Sequence, residues 1–120
     1  MMRNVYVCSP LRGNITENLE KVKQYGKFVL DCGMAPVIPH FYAEILDDNI
    51  LEERELGITA GTSLLFRADA LWVFGDNLTE GMKNEINFAK HLKLDIRYIT
   101  ENDLELGGKM YGKKHGKKKR

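Results

Sequence analysis

The chain has 120 residues, of which 43% are hydrophobic and 29% charged. That size accommodates one domain and excludes two packed ones. Cys8 and Cys32 form no C-x-x-C pair and stand at no zinc-finger spacing from a histidine, which excludes a disulfide scaffold and a zinc finger. The longest apolar run, Ala70 to Phe74, falls far short of the ~20 residues that cross a bilayer, so the expectation is a cytoplasmic, membrane-free protein with reduced thiols. The net charge of +1 hides a division: residues 109–120 carry seven Lys/Arg and no acid, whereas residues 1–108 carry eleven against seventeen acids. Two segments are therefore expected, a domain over 1–108 and a basic, disordered tail over 109–120 that could contact nucleic acid or another anionic surface, stay solvated, or lie against the acidic body.

In chain order, Asn4 to Cys8 is a β-branched and aromatic run that reads as a strand, stopped by Ser9-Pro10. Asn14, with Glu17 three residues on, predicts a helix start, and Leu19, Val22, Gly26, Val29 and Leu30 then recur at helical spacing up to Gly33. Met34 to Ile38 reads as a second strand, placed at a sheet edge because Pro36 cannot donate to a ladder. Asp47, Asp48 and Asn49 read as the acidic cap of a helix over about 50–67, with Leu51, Ile58, Leu64 and Leu65 expected inside. Ala70 to Gly75 is apolar without alternation, which predicts a central strand covered on both faces. Thr79 can cap the next helix, whose Met82, Ile86, Ala89 and Leu92 make a stripe, and Asp95 to Ile99 reads as a fourth strand. Residues 100–112 fit either a short helix or a strand.

Strands alternating with helices predict a small doubly wound α/β domain. The expected form is a flavodoxin- or Rossmann-like three-layer sandwich of four to five mainly parallel strands in order 2-1-3-4. Ligands in such sheets bind beyond the carboxyl ends of the strands where the order reverses. Here that point lies between the loops Ser9 to Asn14 and Asp76 to Thr79. Neither a G-x-G-x-x-G nor a Walker A sequence is present, and His40, Asp47 and Asp48 make only a weak metal set.

The two loops carry groups suited to an anionic ligand. Arg12 offers a planar fork and Gly13 lets backbone approach. Thr79 and the first N–H groups of its helix form an anion cradle, which Gly81 leaves open. Glu85 lies one and a half turns into that helix, and the helix's rotation decides between a pocket and a solvent position. Tyr6 and Cys8 suit either a core or a pocket floor.

The segments Y-V-C-S-P-L-R-G, A-D-A-L-W-V-F-G and T-E-G-M-K-N-E together resemble the nucleoside 2-deoxyribosyltransferase superfamily over residues 4 to about 99. Within it, the chain resembles the deoxynucleoside 5′-monophosphate N-hydrolases and small phage- or plasmid-borne members. The motifs fall on Tyr6, Cys8, Arg12-Gly13, Ala68-Asp69, Thr79, Gly81 and Glu85. The resemblance implies cleavage or exchange of an N-glycosidic bond, with Glu85 as nucleophile and Tyr6 positioning its carboxylate. With the converging loops it gives a substrate-binding set of Cys8, Ser9, Arg12, Gly13, Asp69, Asp76, Thr79, Gly81 and Met82. No metal or organic cofactor is implied, the partner is a nucleoside or nucleotide, and a homo-oligomer completes the site.

Two positions depart from the hydrolase pattern. Gly61 stands where a general-acid aspartate belongs, and Pro10 replaces a serine. The substitutes for the acid are Asp47, Asp48, Glu55 and Asp76. The departure at Gly61 keeps open a second function, a nucleotide-binding protein without turnover, beside a third in which the basic tail contacts nucleic acid.

Overall fold

The structure, a computed structural model, describes residues 1–116. Its elements are β1 (Asn4–Cys8), α1 (Ile15–Asp31), β2 (Ala35–Val37), a 3₁₀ segment (Pro39–Glu44), α2 (Leu51–Phe66), β3 (Ala70–Phe74), α3 (Glu80–His91), β4 (Asp95–Ile99), α4 (Glu101–Leu106) and α5 (Gly108–Gly116). The four strands are parallel in the order β2-β1-β3-β4, as expected. β2 is short and lies at an edge, with Pro36 opposite Val5, where a missing N–H is least costly.

The period-2 geometry of β1 and β3 divides the interior into two halves. Val5, Val7, Ala70, Trp72 and Phe74 face α1 and α5, where Tyr25 stacks on Phe74 with centroids 4.5 Å apart. Tyr6, Cys8, Leu71 and Val73 face the other way, onto Leu65 of α2 and Met82, Ile86 and Ala89 of α3. All five residues of β3 are buried, which is why its sequence shows no alternation.

Two expected caps form. Asn14 Oδ1 accepts the Glu17 N–H at 3.2 Å, and Thr79 Oγ1 accepts the Met82 N–H at 3.2 Å. Each satisfies one orphan donor of its helix. Gly13 at φ +100° and Gly75 at φ +98° take left-handed backbone that ordinary side chains resist, and so turn the chain into α1 and out of β3.

Other expectations are corrected. The acidic turn does not cap α2: the N-cap is Ile50, without a side-chain bond, while Asp47 accepts the Asn49 N–H at 3.0 Å and donates its own N–H to Glu53. Leu51 and Ile58 are 63% and 60% exposed. Apolar residues surround α2 on every side, so their spacing did not identify the inward face. Residues 101–106 and 108–116 are helical, with Thr100 and Asp103 forming a capping box. The tail expected to be disordered from 109 is thus ordered as far as 116, because Tyr111 buries its ring against Phe28 and Trp72 at 5.3 and 5.7 Å. The rest of that expected tail, 117–120, lies outside the described residues. No helix among the described residues is long and apolar enough to cross a membrane.

Candidate functional site

A cleft of about 610 Å³ opens on the α2/α3 side of the sheet. Of the residues expected in the site, Tyr6, Ser9, Arg12, Gly13, Thr79, Gly81, Met82 and Glu85 line it. Tyr6 leaves β1 on the face that looks at α3, and the stripe of Met82, Ile86 and Ala89 turns that helix so that Glu85 points inward. The two side chains meet: Tyr6 Oη donates to Glu85 Oε2 at 2.7 Å. Burial raises the Glu85 carboxyl above its ordinary value, and hydrogen bonds from Tyr6 and Cys8 partly offset this. The Tyr6 phenol is pushed up by burial and then by the Glu85 charge, so it stays protonated and remains a donor.

Three expected residues are placed elsewhere. Cys8 is fully buried beneath the cleft, with its thiol 3.8 Å from the Met82 carbonyl and its pKa raised by burial and by Glu85. Asp69 is corrected outright: it precedes β3, a whole strand length from the carboxyl ends. There its carboxylate accepts the Asn4 N–H at 2.8 Å while its own N–H donates to the Asn4 carbonyl at 2.8 Å. It ties β3 to β1. Asp76 follows β3 but faces the other side of the sheet, in a second cleft with Tyr25 and Glu101. The loop after Gly75 turns toward α1 before returning to Thr79.

The sequence reading missed much of the opposite wall. His40 lines the cleft, only 4% exposed; its Nε2 lies 2.9 Å from the Ser9 carbonyl and 3.1 Å from Ser9 Oγ, and Nδ1 has no partner among the described residues. Burial lowers its pKa, so the ring is neutral and Nε2–H donates to the carbonyl. In the sequence His40 figured only in a weak metal set, and nothing beside it signalled a cleft position. Asp48 holds Arg12 at 3.2 Å over the mouth, leaving the outer guanidinium nitrogens free to bind an anion.

Gly61 also lines the cleft. A Cβ there would lie 3.5 Å from Pro39 Cβ and 3.6 Å from Tyr6 Oη, ordinary contact distances. A side chain at 61 would therefore enter the cleft beside the Tyr6–Glu85 pair without a clash. Among the substitute acids, Asp47 and Glu55 do not line the cleft, Asp76 faces away, and Asp48 is occupied by Arg12. Among the described residues, no group of three or more His, Cys, Asp or Glu could hold a metal ion.

The fold is similar to that of a known 2-deoxyribosyltransferase. A solved structure of the 2-deoxyribosyltransferase from the psychrotolerant bacterium Bacillus psychrosaccharolyticus superposes with a TM-score of 0.62 at 20% identity, covering 79% of this chain and 70% of that one. The chain belongs to the family described as a domain of unknown function, DUF7768, whose model matches residues 3–99. No curated protein matches the sequence.

Proposed function

We propose that the protein cleaves or exchanges the N-glycosidic bond of a deoxynucleoside or its 5′-monophosphate, with Glu85 as nucleophile. The observation that carries this reading is the half-buried, phenol-bonded Glu85 carboxylate facing a cleft of small-molecule size. The fold shared with a 2-deoxyribosyltransferase supports it. The Glu85 carboxylate attacks the anomeric carbon as the C–N bond breaks, and the base leaves with the bonding electrons. An oxocarbenium-like transition state favours an adjacent carboxylate. Tyr6 aims one carboxylate oxygen and keeps the other available. Water, or a second base, then attacks the same carbon and releases Glu85.

Arg12, Ser9, Gly13, Thr79 and Gly81 would hold the sugar or its phosphate at the carboxyl edge of the sheet. With Gly61 in place no acidic side chain stands beside Tyr6 at that position, and the leaving base takes its proton from solvent. The reaction needs no cofactor. Ile58 and Phe66, 60% and 66% exposed on α2 beside the cleft, offer an apolar rim that a second copy would cover in a homo-oligomer. The free Cys8 and Cys32 fit a reducing cytoplasm.

Gly61 favours a second reading, a nucleotide-binding protein without turnover. One experiment separates the two: chromatography after incubation with a panel of deoxynucleosides and their 5′-monophosphates, with and without a second free base, beside the Glu85→Ala variant. Base release by the wild type alone establishes the glycosidase, and base exchange makes it a transferase. Saturable nucleotide binding without release from either protein establishes the binder.

A further inference from the structure

On the face of the sheet away from the cleft, α5 displays a positive surface that the glycosidic reaction does not use. The helix is sided. Gly108, Tyr111 and Gly112 face α1, with Tyr111 5% exposed and Gly112 so close to Cys32 that a Cβ would lie 3.3 Å from its Cα. Lys109, Met110, Lys113 and Lys114 are exposed on the other side. None of these three lysines takes part in an ion pair among the described residues. The sequence continues K-K-K-R, while residues 1–108 carry a net excess of acid.

From this we infer that α5 is a docked, sequence-independent contact for the phosphate backbone of nucleic acid. Lys109 and Lys113 are one turn apart, about 6 Å along the axis, and a duplex presents one negative charge per ~1.7 Å. Each lysine can therefore meet a phosphate without strain in the helix. The acidic body repels the same polyanion, which confines contact to this helix. An anionic membrane is the poorer fit. A helix that binds in the bilayer interface needs an apolar face for lipid, and here that face is consumed by Phe28 and Trp72, leaving Met110 as the single apolar group among the outward lysines. The helix is held by Tyr111, so the lysines occupy a fixed place relative to the body, on the face away from the cleft.

The test uses the full chain, because deleting residues 109–120 would also remove Tyr111 from the core. Binding of a fluorescent duplex is followed by anisotropy as salt is raised, for wild type and for Lys109→Gln/Lys113→Gln/Lys114→Gln, with circular dichroism to establish that the variant keeps its helices. The expected result is a steep loss of wild-type affinity with salt, and in the variant a log–log slope shallower by about one per lysine. Affinity at low salt should fall at least about tenfold. Glu85→Ala should bind as wild type does, which separates this surface from the cleft. Absence of duplex binding at low salt overturns the inference, as does binding that the three substitutions leave unchanged. Binding to phosphatidylcholine vesicles containing phosphatidylserine, with none to the duplex, also overturns it in favour of a membrane.

Discussion

The phenol of Tyr6 donates to the carboxylate of Glu85 across 2.7 Å, joining a strand and a helix that lie 79 positions apart in the chain. The bond has two consequences for a nucleophile. It fixes the direction of one carboxylate oxygen, and it opposes the burial that favours the neutral acid. Glu85→Ala is expected to lower turnover at least ~10³-fold while nucleotide affinity stays within about tenfold. Tyr6→Phe removes a bond that lowers the Glu85 pKa, so the acidic limb of the pH–rate profile should move to higher pH. Rates measured across the acid range check this, and a limb that stays in place would show that Tyr6 does not act on Glu85.

The same carboxylate limits stability. Its folded pKa is raised above the ordinary 4.5, so the folded state holds the proton more tightly than the unfolded chain does. That contribution is full below the unfolded value and is lost as pH rises through the folded one. Glu85→Gln keeps an acceptor for Tyr6 and removes the loss. Thermal melts at neutral pH should show the variant more stable by about 1 kcal/mol, and the difference should vanish in acid.

Gly61 can be given a side chain. Because a Cβ there meets Pro39 and Tyr6 at ordinary distances, Gly61→Asp should fold and present a carboxyl beside the Tyr6–Glu85 pair. Under the glycosidase reading, release of base should rise by up to roughly 10²- to 10⁴-fold, the range over which a positioned general acid acts. Turnover measured on the nucleotide panel decides; an unchanged rate would mean that protonation of the base does not limit the reaction.

His40 sets a dependence of opposite sign. Burial lowers its folded pKa below the ordinary 6.5, so on acidification the unfolded chain takes up a proton that the folded ring refuses. Stability should therefore fall as pH drops below about 6.5, by at most about 1.4 kcal/mol per pH unit. In His40→Gln that part of the slope should be absent. Denaturant unfolding at a series of pH values provides the comparison.

The docking of α5 rests on two residues of unlike size. Tyr111→Ala should cost about 3 to 5 kcal/mol, as for other buried aromatics. A Cβ on Gly108 would come within 2.3 Å of the Phe28 carbonyl oxygen, so Gly108→Ala should detach the helix. Hydrogen exchange over 108–116 should be fast in both variants and slow in the wild type, with exchange in β1 and β3 little changed in Gly108→Ala.

Much of this architecture was legible in the residues themselves. β3 showed itself by five consecutive apolar residues, α1 and α3 by their caps and stripes, and the order 2-1-3-4 by Pro36 together with the alternation of strands and helices. These are properties of neighbours along the chain, where backbone geometry fixes which side chains share a face. Glu85 was the instructive middle case: its motif marked it, yet whether it faced cleft or solvent depended on the helix's rotation against the sheet.

Other features needed the tertiary structure because they depend on groups distant in sequence. Leu51 and Ile58 sit on a helix with apolar residues all around, so only contact with the sheet could select its inward side. Asp69 and Asp76 flank the same strand as the site, and it took the direction of β3 and the turn after Gly75 to put one at the far end and the other across the sheet. The basic segment looked unable to order itself, since its lysines and glycines bury little. Tyr111, with Gly108 close against α1, gave it a foothold, and that foothold exists only where Phe28 and Trp72 have already been brought together. Composition and periodicity determined which elements form and in what order, because those follow from local geometry and burial. The identity of the groups that face the cleft was decided by long-range contact, which no spacing along the chain encodes.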